Sequence, residues 1–196
     1  MPKTATPAAP FAGRYPKTIK AKDRELELRL MGKDDVAGMV SFARALPPDD
    51  LLFLRRNITE KSAVEGWVAN IEAGQAVAVL AYEGDTLAGY ASMNLNLATW
   101  MAHLGEIRLL TGTAYRGVGL GRILASEIYA VGRALGLRKL SAQMTLDQPG
   151  ARATFERLGF RPEALLTDWV MDAKGRTRDL LVMAYDLDGL TDTVDA

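Results

Sequence analysis

The sequence predicts a mixed α/β domain, a largely antiparallel sheet with helices on both faces, in the order β-α-α-β-β-β-α-β-α-β-β. Three observations lead there. Segments that alternate apolar and polar residues, such as 25–30, 104–111 and 140–144, are interleaved with segments whose apolar residues recur at helical spacing. Two pairs of strand-like segments are joined by short turn sequences, Glu83-Gly84-Asp85-Thr86 and Asp172-Ala173-Lys174-Gly175, which makes each pair an antiparallel hairpin. Neither half of the 196 residues can bury a core alone, so one domain is expected over 23–187, flanked by tails at 1–22 and 188–196.

Taken in order, residues 1–22 carry Pro2, Pro7, Pro10 and Pro16 with Lys3, Arg14, Lys17, Lys20 and Lys22 and no acid, a composition that predicts a disordered or loosely draped basic tail. Leu26, Leu28 and Leu30 alternate with charged residues in the first strand, 25–30. Asp34 and Asp35 then favour a helix N-terminus, Val36, Met39, Val40, Phe42 and Ala43 form its apolar stripe, and Pro47 and Pro48 stop it. Residues 46–56 are too apolar for a plain surface loop. The second helix is expected to open at Thr59 or Ser62, to carry Val64, Trp67, Val68 and Ile71, and to end at Gly74.

Strands follow at 76–82 and 87–97, with Asn94 and Asn96 on one face of the second, turned either into a cleft or toward water. A strand at 104–111 leads through a glycine-rich loop into a helix at 119–135, where Leu120, Ile123, Leu124, Ile128, Val131 and Leu135 form the buried stripe and Gly136 ends it. A strand at 139–145, a short helix at 151–158 and a hairpin of 165–171 with 180–187 complete the fold. The acidic residues 188–196 read as a frayed tail.

Composition narrows the function. Lys plus Arg equals Asp plus Glu at 24 each, so no bulk charge recommends a nucleic acid or an anionic membrane as partner. There is no cysteine for a disulfide, a thiolate nucleophile or a metal site, and His103 is the single histidine, so no metal is expected. No apolar run is long enough to span a bilayer and the N-terminus lacks the apolar core of a signal peptide, which points to a cytoplasmic protein.

The chemistry concentrates in Arg116-Gly117-Val118-Gly119-Leu120-Gly121-Arg122. Three alternate glycines permit positive φ angles and leave backbone N–H groups unscreened, the helix start aims its positive dipole end at the same place, and two arginines flank it. Such a loop suits phosphate. A P-loop would need Lys followed by Ser or Thr after the last glycine, and a dinucleotide fingerprint begun at Gly117 would need glycine at position 122; both fail here. That disfavours a nucleotide-binding oxidoreductase.

The remaining pattern, Arg-x-x-Gly-x-Gly, resembles the pyrophosphate-binding motif of the acetyl-CoA-dependent N-acetyltransferases of the GNAT superfamily. Ala151-Arg152-Ala153-Thr154-Phe155-Glu156-Arg157-Leu158-Gly159-Phe160 resembles that family's second signature and follows at the expected distance. The resemblance covers roughly residues 23–187. It implies acetyl-CoA as cosubstrate, held through Arg116, Gly117, Val118, Gly119, Leu120, Gly121 and Arg122. The main chain of Leu109, Leu110 and Thr111 would pair with the pantetheine arm like an added strand. Gln148 and Phe155 match further cofactor-binding positions. Phe155 stands where many members carry a tyrosine general acid, and it has no proton to give. By the same resemblance 46–56 faces the acceptor, which makes Phe53, Arg55 and Arg56 candidates for substrate contact, against the alternative of packed apolar residues and solvated arginines.

Acetyl transfer to an amine needs a held thioester, a neutral amine and a stabilised oxyanion. Glu106, on the strand before the loop, is the expected general base. Its parity places it with Arg108 and Leu110, so a salt bridge is the alternative unless a bulge shifts the facing. His103 is second choice as base, and Tyr115 and Tyr129 are the nearest tyrosines that could act as acid. The expectation is an acyl-CoA-dependent N-acyltransferase acting by direct attack on a small-molecule or protein primary amine, with a homodimer as the default assembly. The rival is a CoA-binding regulatory module of the same fold without turnover, favoured by Phe155.

Overall fold

The computed structural model of the chain describes residues 13–51, 54–96, 98–172 and 174–187. Eight strands form one sheet: β1 (Lys17–Ala21), β2 (Arg24–Leu30), β3 (Ala76–Glu83), β4 (Thr86–Leu95), β5 (Leu104–Thr111), β6 (Lys139–Thr145), β7 (Arg161–Met171) and β8 (Thr177–Asp186), in the spatial order β1-β2-β3-β4-β5-β6-β8-β7. Every neighbouring pair is antiparallel except β5 and β6. A parallel step needs a long crossover, and the helix α4 (Leu120–Ala134) supplies it.

The two faces are covered by different helices. On one, α1 (Val36–Arg44) and α3 (Lys61–Glu72) bury Met39, Phe42, Val64 and Trp67 against Ala78, Leu80 and Tyr90. On the other, α4 buries Leu120, Leu124, Ile128 and Val131 against Val79, Ala91, Met93, Ile107 and Leu140. The period-two alternation of the strands makes this division: Tyr90 goes to the α1/α3 side and Ala91 to the α4 side. Leu120, Leu124 and Ile128 are fully buried, and each contributes roughly 1.5–3 kcal/mol of transfer free energy.

The expected tail is corrected in part, since residues 13–22 belong to the fold. β1 pairs with β2 from Lys17 opposite Leu28 to Ala21 opposite Arg24. Two of that tail's cations have a partner: Lys17 Nζ lies 2.6 Å from Glu127 Oε1, the Tyr15 hydroxyl donates to Glu127 Oε2 at 2.8 Å, and Arg14 approaches the same oxygen at 3.5 Å. Glu127 lies on α4, distant in sequence, so local composition could not reveal the match. Residues 1–12 and 188–196 lie outside the described residues.

Element ends shift for local reasons. Thr59 does not cap α3, because its hydroxyl donates to Asn57 Oδ1 at 2.6 Å and the helix starts at Lys61. A short α2 (Pro48–Leu51) occupies the proline-bounded segment, and α5 (Pro149–Arg157) begins two residues early with proline in its first turn. The last hairpin is longer than expected at its outer edge. β8 matches the whole of β6, and β7 follows β8 outward while leaving Leu165, Trp169 and Met171 exposed.

Candidate active site

β5 and β6 diverge. Their pairing covers Leu104 with Lys139, Gly105 with Leu140 and Glu106 with Ser141, and stops there. From Ile107 to Thr111, β5 remains paired with β4 on one side only. Its other edge therefore carries main-chain donors and acceptors without a neighbouring strand.

A cleft of about 790 Å³ opens beside that edge. Its floor is Leu109, Leu110 and Thr111, its end wall is the loop and first turn of α4, and its far wall is α5 with Gly150, Thr154, Phe155 and Arg157. Gly119 is the N-cap of α4 at φ 86°, and Gly117 has φ 74°, both in the left-handed region where a side chain is strained. The leading N–H groups of the helix have no acceptor within it, so this end suits an anion.

Of the residues expected to bind the cofactor, Leu109, Leu110, Thr111, Arg116, Gly117, Gly119, Leu120, Gly121, Arg122 and Phe155 line the cleft. Val118 and Gln148 do not. Val118 packs against the core beneath α4, and Gln148 Oε1 accepts from the Thr145 backbone N–H at 3.2 Å as α5 begins. Arg116 is also not a free cation, because it forms an ion pair with Asp50 of α2, which reaches the rim of the cleft. Arg122 is exposed at the rim.

Glu106 lies on the α1/α3 side of β5, and no bulge alters its facing. Its Oε2 is 3.3 Å from Arg55 Nη2 and its Oε1 is 2.9 Å from Arg108 Nη2. The second contact is not aligned as a hydrogen bond, and Glu106 Oε1 is buried without a hydrogen-bond donor among the described residues. Arg108 spans the divergent strands, its Nη1 donating to the Gln143 carbonyl at 2.6 Å. Burial lowers the Arg108 pKa, against the pull of Glu106 beside it.

A second, smaller cavity adjoins this cluster, walled by Ile58, Trp67, Tyr90, Ser92, Asn94 and Arg108 together with Leu54, Arg55 and Arg56. The register explains the set: Tyr90, Ser92 and Asn94 stand opposite Leu110, Arg108 and Glu106. Of the sequence candidates, Arg55, Arg56 and Asn94 meet here. Asn96 instead accepts from the Ala98 backbone N–H at 3.0 Å, and Phe53 lies outside the described residues. His103 is exposed and lines neither cavity. Sequence reasoning missed Trp67, Tyr90 and Ser92, and it named Arg108 only as the same-face neighbour that could form a salt bridge with Glu106, the pair the structure shows. The one usable signal was Arg108, a charge in mid-strand with the parity of Glu106.

The tyrosines divide sharply. Tyr115 lines the large cleft, donates to Glu83 Oε2 at 2.9 Å and stacks under Arg24. Tyr129 donates to the Leu158 carbonyl and belongs to the core. Tyr90 is almost wholly buried, and that burial raises its hydroxyl pKa. Among the described residues no group of His, Cys, Asp and Glu could hold a metal ion, and no helix is long and apolar enough to cross a membrane.

The profile of the family described as Acetyltransferase (GNAT) family matches residues 48–160, more than half of the chain and all of both cavities. None of the curated proteins matches. Among solved structures, the GNAT-family acetyltransferase from Streptococcus pneumoniae superposes with TM-score 0.68 at 20% identity, covering 82% of this chain and 99% of that one. The structure of yncA from Salmonella typhimurium with its cofactor acetyl-CoA gives 0.70 at 20% identity over 87% and 99%. The ribosomal-protein-alanine N-acetyltransferase from Brucella melitensis gives 0.70 at 20% identity over 81% and 98%. At this identity the structures speak for the fold, and the profile match speaks for the lineage: the chain belongs to the GNAT family of acetyltransferases.

Proposed function

We propose that the protein is an acyl-CoA-dependent N-acyltransferase that moves an acetyl group from acetyl-CoA to a primary amine by direct attack. The observation that carries this reading is the position of β5 between the two cavities. Its free edge borders the cleft at Leu109 to Thr111, and its α1/α3 face presents Arg108 to the smaller cavity, with Glu106 paired to Arg108 and Arg55 of that cavity's wall.

The cleft fits the cosubstrate. Its end wall offers glycine-loop and helix N–H groups for a pyrophosphate, its floor offers unpaired strand groups for an amide-bearing arm, and its volume suits an elongated ligand. Acetyl-CoA supplies the activated acyl thioester. The main-chain N–H of Thr111 is the candidate to bind the thioester oxygen, because the Gly112 N–H is turned to the Ala88 carbonyl of β4, and strand alternation turns that of Thr111 to the open edge. Glu106 is the proposed base, taking the amine proton directly or through a water, while Arg55 and Arg108 keep the carboxylate in place. With Phe155 in the second signature, the departing thiolate needs no strong acid, since a thiol near the cysteine pKa of about 8.5 leaves readily.

A CoA-binding module without turnover is the second reading, favoured by Phe155 and by the engagement of Tyr115 with Glu83. Thiol release from acetyl-CoA against a panel of primary amines separates the two. Acceptor-dependent release is expected. In Glu106→Gln, kcat is expected to fall by about 100-fold. Tight acetyl-CoA binding without release from any amine would establish the silent module instead.

A further inference from the structure

The smaller cavity has an unbalanced charge. Arg55, Arg56 and Arg108 contribute three cations, and Glu106, which pairs with Arg55 and Arg108, is the one carboxylate in contact with them among the described residues. Arg56 has no carboxylate partner there. Its guanidinium lies 5.3 Å from the Trp67 ring centre, where burial first and the charge of Arg55 second lower its pKa. Arg108 Nε is buried without an acceptor. The remaining walls, Ile58, Trp67 and Tyr90, are apolar or carry a hydroxyl that burial keeps protonated.

The Arg56 guanidinium, without a carboxylate, and the Arg108 Nε, without an acceptor, are costly in a mostly apolar pocket unless an anion completes them. A guanidinium already stacked on an aromatic ring keeps its N–H edge free for a planar, two-oxygen acceptor. The space is open on one side and its interior is about 20 Å³, little more than one water molecule needs, so it admits the end of a ligand and not a polyanion. Ser92 and Asn94 stand beside it as neutral donors.

We infer that the acceptor is a small amine bearing a carboxylate, an amino acid or a close analogue, whose carboxylate is held by Arg56 and Arg108. This rests on the transferase reading, and it decides among amines which that reading leaves open. A protein lysine side chain brings no carboxylate to this position, whereas a free amino acid brings one at a fixed short distance from its nitrogen. The carboxylate neutralises the excess charge and leaves Glu106 available to the amine.

The test has two arms. In the first, the twenty amino acids and their carboxamides are compared as acceptors by thiol release with wild type, Arg56→Gln and Arg56→Lys. For the best acceptor, kcat/KM is expected to favour the acid over its amide by at least about tenfold, to approach parity in Arg56→Gln and to recover in part in Arg56→Lys. In the second, N-acetylated amino acids and their N-acetyl carboxamides are titrated calorimetrically into the protein with CoA present, which needs no turnover. The acid form is expected to bind at least about tenfold more tightly, and Arg56→Gln to abolish the difference. The aminophosphonate analogue of alanine is run beside alanine, and a preference for the phosphonate would overturn the carboxylate assignment. Equal behaviour of acid and amide in the binding arm overturns the inference even if amines are acetylated. A binding preference without any thiol release sustains the inference and removes the transferase reading.

Discussion

The cleft beside β5 and the cavity on its α1/α3 face share a strand but are built from different materials. The cleft is main chain: positive-φ glycines, the open end of α4 and an unpaired strand edge. Its side chains are largely apolar, such as Leu109, Leu120 and Phe155, and of its arginines Arg116 is engaged by Asp50. The cavity is side chain: three arginines, a tryptophan and a tyrosine, drawn from the 54–58 segment, α3, β4 and β5. A main-chain site recognises what all acyl-CoA donors share, and it tolerates sequence change wherever backbone geometry survives. A side-chain site can be re-specified one residue at a time.

Arg108→Met gives the largest expected effect and tests the independence of the two sites. It removes a buried cation that joins β5 to β6 through Gln143 and that faces Glu106, so denaturant unfolding should show a loss of about 3 kcal/mol, with a thermal midpoint lower by roughly 6–12 °C. Acetyl-CoA affinity in the folded fraction should stay within about threefold. A collapse of acetyl-CoA binding would show that the cleft depends on the side-chain cluster and would break the contrast.

Gly119→Glu is the reciprocal change. A Cβ at Gly119 meets no protein atom within 4 Å, so the lesion acts through left-handed strain of about 1–2 kcal/mol and through a negative charge at the helix end. Calorimetry should show acetyl-CoA binding weakened by roughly 100-fold, about 2.7 kcal/mol, with binding of an N-acetyl amino acid unchanged. Retained acetyl-CoA affinity would remove the loop from the site.

The smallest effect concerns the support of α4. Burial pushes the Glu127 carboxyl up, but hydrogen bonds from Lys17 and Tyr15 and the charges of Lys17 and Arg14 outweigh it and hold the pKa below the ordinary 4.5. A depressed folded value means that the stabilisation is complete above the unfolded value and is lost as pH falls through the folded one. Lys17→Met should therefore cost about 1 kcal/mol at neutral pH and close to nothing at pH 2, in urea titrations at the two values. An equal loss at both would make the contact one of packing and not of charge. Because α4 carries the cleft, any functional consequence should appear in acetyl-CoA affinity before acceptor preference.

Much of the cleft was legible because its determinants are contiguous. Gly117, Gly119 and Gly121 follow a strand pattern and precede a helical stripe within one short window, and that order suffices to aim N–H groups at one point. Gln148 stands outside the cleft because its side chain turns back to the end of β6, accepting from the Thr145 N–H, and gives α5 no cap. β1 was missed because Lys17, and Arg14 before it, find their carboxylate on Glu127, more than a hundred residues away. Glu106 showed its facing and its neighbour Arg108 but not Arg55, since period-two alternation assigns a side of the sheet and says nothing of what a loop such as 54–58 lays over it.

The sequence by itself determined the hairpins, the helix stripes, the glycine loop and the side of β5 on which each residue lies, because periodicity and backbone freedom are local properties that neighbouring residues set. Only the tertiary structure decided that β5 and β6 part after Glu106, that Arg116 meets Asp50, that residues 13–22 lock onto α4, and that Arg55, Arg56 and Arg108 converge on one small cavity. Those outcomes depend on which distant charges and surfaces share a space once the chain has closed on itself, and no window of sequence contains that information.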